Sequence, residues 1–113
     1  MATCNNNFFQ KWSVEYVDEP QYSGEIEISQ FAGGIAITGK IARDGRIHGS
    51  YTGFDISCPI TDQMTFKYRL ATGDTGVMEL NYVNVSITGD PFIRGSYDDT
   101  GNGDAGDILL RPI

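Results

Sequence analysis

Five short segments of this chain recur in the same order about fifty residues further on, which limits the fold to architectures built from two copies of one small unit. Trp12-Ser13-Val14-Glu15-Tyr16 lies over Met64-Thr65-Phe66-Lys67-Tyr68, and Gly24-Glu25-Ile26-Glu27-Ile28 over Gly76-Val77-Met78-Glu79-Leu80, both at an offset of 52 (64 − 12 and 76 − 24). Ile37-Thr38-Gly39 returns as Ile87-Thr88-Gly89, and Ile47-His48-Gly49-Ser50-Tyr51 as Ile93-Arg94-Gly95-Ser96-Tyr97. Asp55-Ile56 and the apolar run after it are echoed from Asp107-Ile108 onward. A tandem duplication follows as the expectation, with repeat A over 11–60, repeat B over 62–113, and residues 1–10 as a polar leader to a single domain.

Both copies read as strands. Met64, Phe66, Tyr68 and Leu70 alternate with polar Gln63, Thr65, Lys67 and Arg69, the period of a strand with one wet face. The apolar phase then switches from even positions (Ile26, Ile28) to odd ones (Ile35, Ile37), and again from Met78 and Leu80 to Val83, Val85 and Ile87. That switch predicts a bulge or corner within one long strand of each repeat, because residues 81–84 hold no Gly or Pro to reverse the chain. At Arg43-Asp44-Gly45, burial of Ile47 and Tyr51 favours a three-residue hairpin loop that pairs Ile41 with Ile47 and turns His48 to solvent.

Four strands per repeat predict an all-β fold: an antiparallel eight-stranded barrel, since closure removes exposed edges. A two-sheet β-sandwich is the alternative. By size and strand count the chain resembles the avidin and lipocalin class of barrels, and Trp12 near the start of the first strand is compatible with that. The resemblance implies a fold only and carries no site residue.

The formal net charge of −7 and pI near 4.4 argue against a nucleic-acid partner, which requires clustered Lys and Arg. The start of the chain has neither the basic residues nor the apolar stretch of a signal peptide, and no apolar run is long enough to cross a bilayer. Cys4 in the polar leader and Cys58 in an apolar strand therefore read as free thiols of a soluble, cytoplasmic protein.

The candidate ligand-binding residues are Trp12, Tyr16, Tyr51, Tyr68 and Tyr97 with Gly49 and Gly95. Missing side chains at the two glycines would leave room beside tyrosine hydroxyls. Alternatively, the glycines mark bends and the tyrosines fill the core. Residues 98–107 form a long acidic loop in which Asp98, Asn102 and Asp104 faintly resemble the start of a calcium loop, without flanking helices or the bidentate Glu. His48 is the sole histidine and its counterpart is Arg94, which disfavours a catalytic role. Glu25 and Glu27 are the wet face of a strand.

The leading expectation is a non-catalytic binding module, needing no cofactor, that holds a small molecule or glycan at the barrel mouth or acidic loop. One rival is an acidic inhibitor or immunity-type protein covering a basic protein partner. Another is a cofactor-free isomerase or cyclase working through tyrosines. Strand faces rich in Thr and Ser would suit a homodimer.

Overall fold

The computed structural model of the chain describes residues 3–83, 91–100 and 103–113. It is all-β. Eight strands follow in chain order: β1 Lys11–Tyr16, β2 Tyr22–Phe31, β3 Gly34–Arg43, β4 Arg46–Ile60, β5 Gln63–Leu70, β6 Thr75–Val83, β7 Phe92–Asp99 and β8 Ala105–Pro112. Each pairs antiparallel with the next, and β8 closes back on β1, from Trp12↔Pro112 to Tyr16↔Ile108. The barrel alternative, not the sandwich, is the observed one.

The division of strands in the first half differs from the expectation. Residues 26–37 do not form one bent strand: the chain reverses at Ala32-Gly33, and Phe31 pairs with Gly34. A two-residue hairpin explains the switch of phase, because its paired positions sum to an odd number (31 + 34, 28 + 37). Inward even positions on β2 must then face inward odd positions on β3, so Ile28 and Ile37 meet on the inner face. The matching switch in the second half runs through Val85 and Ile87, which lie outside the described residues. β4 runs without a break from Arg46 to Ile60, with register shifts after Phe54 and after Ser57 and with Asp55 at φ 52°.

The Asp44-Gly45 hairpin also departs from its predicted register. Asp44 (φ 51°) and Gly45 (φ 81°) form a two-residue loop with both central residues left-handed, the conformation that Asp-Gly tolerates best. Arg43 pairs with Arg46 and Ala42 with Ile47, which leaves Ile47 outside at 70% exposure. A bulge at His48 then restores the phase, so Ile41 pairs with Gly49 and Gly39 with Tyr51, and Tyr51 is buried after all. One extra residue thus satisfies both turn chemistry and core burial.

The segments matched between the two halves of the sequence behave unequally. Trp12, Val14 and Tyr16 on β1 and Met64, Phe66 and Tyr68 on β5 all point inward. Ile47, by contrast, is exposed on the fourth strand, whereas Ile93 is fully buried on the third strand of its half.

The two ends of the barrel differ. Strands β2, β4 and β6 finish at the end that the N-terminal segment plugs. There Asn6–Phe8 forms a 3-10 turn, capped by the Asn5 side chain accepting from Asn7 N–H. Phe8 is fully buried, its ring edge-on to Tyr82 at 6.0 Å, and its carbonyl accepts the Trp12 indole N–H at 3.0 Å. Asn5 N–H donates to Thr61 O, and its side chain to Asp62. The leader is therefore part of the fold, and a Cys4–Cys58 disulfide fixes it to β4. This overturns the reading of free thiols. The chain brings the two Cα atoms to 5.4 Å across 54 residues, a proximity no linear spacing displays.

Candidate functional site

The connections after β1, β3, β5 and β7 gather at the opposite end, which none of the described residues plugs. Short hydrogen bonds make them a firm rim. Tyr22 N–H donates to Glu19 O, Asp44 N–H to Gln21 O and Leu70 N–H to Asp74 O. Asp99 N–H donates to Asp104 O, and Gly103 N–H to Asp99 O. The acidic loop is thus shorter than expected, because β7 continues through Asp99 and β8 begins at Ala105.

Inside this rim lies a cleft of about 350 Å³. Its walls are Tyr16, Tyr22, Tyr97 and His48, its apolar side is Ile41, Leu70 and Ala71, and its carboxyls are Glu19, Asp74, Asp99 and Asp104. No Lys or Arg lines it among the described residues. Beneath it a smaller cavity of about 60 Å³ reaches Tyr51, Tyr68 and Met78, while sharing Tyr16, Leu70, Tyr97 and Asp99 with the cleft. The rings are set at steep angles: Tyr16 meets Tyr97 at 5.6 Å and 81°, and Tyr22 at 6.2 Å and 68°. Tyr51 and Tyr68 lie 5.5 Å apart on the floor.

Space for these rings comes from glycines directly opposite them across the ladder. Gly39 pairs with Tyr51, Gly76 with Tyr68 and Gly106 with Tyr97. A Cβ at Gly39 or Gly76 would overlap the facing ring, and one at Gly106 would come to 3.1 Å of Tyr97. Of the two glycines singled out in the sequence, Gly49 lines the cleft and has open space where a Cβ would go. Gly95 lies in the packed half, pressed on Glu79 O, Leu80 and Ile108.

Burial pushes the Tyr51 hydroxyl far above the ordinary phenol range, with Tyr16 adding to it. The Tyr16 hydroxyl is likewise driven up by burial, then by Tyr97, Asp99 and Glu19. Tyr97 rises through burial and the charges of Glu19, Asp104 and Asp18. Asp99 is raised above the usual carboxylate value by burial, then by Asp104 and Glu19. These phenols stay protonated at neutral pH and act as hydrogen-bond donors. Tyr68 spends its hydroxyl on Asp99. Tyr51 Oη is buried with no hydrogen-bond partner among the described residues.

The structure therefore brings together Tyr16, Tyr51, Tyr68, Tyr97 and Gly49, and separates Trp12 and Gly95 from them. Trp12 is spent on the plug. Of the weak cation candidates, Asp98 lies on an outward position of β7, Asp104 lines the cleft, and Asn102 lies outside the described residues. Among the described residues no group of three or more His, Cys, Asp or Glu could hold a metal. Glu25 and Glu27 are exposed on β2. His48 is exposed, as expected, but stands on the rim with its ring 6.1 Å from Tyr22. The sequence pointed to Asp99 only as part of the acidic loop, and missed Glu19, Tyr22 and Asp74. Their only linear signal is that each sits in or beside a turn at the same end of a closed meander. No protein-family model, curated protein or solved structure matches the chain, so the chemistry of the mouth rests on its own geometry.

Proposed function

We propose that the protein is a non-catalytic binding module that holds a small molecule in its open, tyrosine-lined mouth. The observation that carries this reading is the asymmetry of the barrel. One end is plugged by the fully buried Phe8, while the other keeps a cleft of about 350 Å³, within the range of small-molecule sites. A buried hydroxyl at its floor with no partner among the described residues is costly in an empty protein and useful in a liganded one. The upward shift of Tyr16, Tyr51 and Tyr97 supports binding over the tyrosine-dependent isomerase alternative, which needs a phenol that titrates near neutrality. The Cys4–Cys58 bridge supports an oxidising compartment as the place of work, instead of the cytoplasm.

Native mass spectrometry of gently purified protein tests the reading. A retained small molecule that disappears in Gly49→Phe, a variant that fills the cleft from a position with room for a side chain, supports it. Retention unaffected by Gly49→Phe sinks the mouth as the site. A clean unliganded mass turns attention to a basic protein partner.

A further inference from the structure

We infer that the mouth selects an organic ammonium ion, its charge held between the tyrosine faces and the rim carboxyls and its apolar body against Ile41 and Leu70. This rests on the binding-module reading and adds the class of ligand. Three independent observations carry it.

The first is charge. Glu19, Asp74, Asp99 and Asp104 converge on one cleft, and no Lys or Arg lines it among the described residues. Asp99 already bears the cost of this crowding, since burial and the neighbouring Asp104 and Glu19 raise its pKa. A bound monovalent cation relieves that repulsion, whereas an anion adds to it.

The second is the arrangement of rings. Tyr16 meets Tyr97 and Tyr22 near the perpendicular, so the rings form the walls of a corner and not a stack. All three line the cleft, and a ring attracts a cation over its face through its quadrupole, most strongly where water is displaced. Tyr22 already takes a cation on one face: the guanidinium of Arg43, which does not itself line the cleft, sits 5.7 Å from the ring centroid.

The third is the floor. The Tyr51 hydroxyl is buried and without a partner among the described residues, and Tyr51 lines the small cavity that continues the cleft downward. A group reaching this depth meets a hydroxyl ready to bond, beside the apolar Ile41, Leu70 and Met78. An ammonium with a small apolar body fits all three features. A bare metal ion leaves the apolar wall and the rings unused.

The full-length oxidised protein is titrated with four probes while backbone amide resonances are followed: phenethylammonium, tetramethylammonium, the neutral isostere 2-phenylethanol, and the anion phenylacetate. The inference expects shifts clustered at Gly49, Leu70 and Asp99. It also expects phenethylammonium to bind about tenfold tighter than 2-phenylethanol, the share that a partly desolvated cation–π and ion-pair contact supplies. Affinity for both cations falls with added salt and in Asp99→Asn, and in Gly49→Phe the shifts vanish. If 2-phenylethanol or phenylacetate binds at the mouth as tightly as the ammonium, the ligand class is overturned while the binding module stands. Shifts located away from the mouth, or unchanged in Gly49→Phe, overturn both. Absence of shifts with both cations overturns the inference.

Discussion

The phenol ring of Tyr51 on β4 occupies the space that a Cβ on Gly39, its direct partner on β3, would need. The same relation links Tyr68 with Gly76, and a Cβ on Gly106 would come within 3.1 Å of its partner Tyr97. Aromatic rings laid over facing glycines shield bare backbone and let the wall curve beneath a large side chain. In this barrel the device is repeated on three ladders near one end, and it sets the floor and one wall of the mouth.

Gly39 and Gly49 should therefore respond differently to the same added methyl. Gly39→Ala forces the Tyr51 ring aside and is expected to cost about 1–3 kcal/mol, the usual range for overpacking. Gly49→Ala enters open space and should stay within about 0.5 kcal/mol of the parent. Urea denaturation of both variants checks this, and equal losses would refute the assignment of space.

Tyr51→Phe separates stability from binding. Removing a buried hydroxyl that lacks a partner should stabilise the unliganded protein by about 1 kcal/mol, because the desolvation cost of that group disappears. The same change should weaken any ligand that reaches the floor. A variant less stable than the parent in urea would show that the hydroxyl has a partner in solution.

Reduction of the Cys4–Cys58 bridge releases the plug. Loop-closure entropy over 54 residues gives about 4 kcal/mol, so Cys58→Ser, or the parent in reductant, should show a much lower urea midpoint. Phe8→Ala should cost about 3–5 kcal/mol through the cavity it leaves. A denaturation midpoint indifferent to reductant would mean that the plug contributes little.

Asp99 makes stability depend on pH in a definite direction. Its folded-state pKa is raised, so between the ordinary carboxyl value and the raised one the folded protein binds more protons than the unfolded chain. This contribution to stability is present at low pH and is lost as pH rises through that window. Asp99→Asn keeps an oxygen to accept from Tyr68 and removes the charge, so it should melt higher than the parent at pH 7. The advantage should shrink as pH falls through the raised carboxyl value, because the parent carboxyl is then protonated. An advantage that does not change between pH 7 and acid would contradict the burial and crowding assigned to Asp99.

Local alternation was enough for the strands. Met64, Phe66 and Tyr68 alternate with polar neighbours, and this decides which face is buried before any partner is known. Closure follows from the cost of open edges, which is legible along the line, but the division into strands is not: residues 26–37 read as one bent strand and are two. The parity switch between Ile28 and Ile37 was visible too, but bulge and two-residue hairpin leave the same trace in one dimension. Pairing of Phe31 with Gly34 selects the hairpin.

Tertiary structure alone decided the rest, because it depends on which distant residues come to the same end of the barrel. Cys4 meets Cys58, Phe8 becomes a plug, and Trp12 is taken by the closed end when its spacing had grouped it with the tyrosines. His48 serves as the bulge that turns Tyr51 inward, a role set by competition between the Asp44-Gly45 turn and burial of the ring. Glu19, Asp74, Asp99 and Asp104 converge because every second turn of a closed meander lies at one end, and only closure makes those turns neighbours. Sequence periodicity reports the face of each strand. The register around the ring decides what those faces enclose.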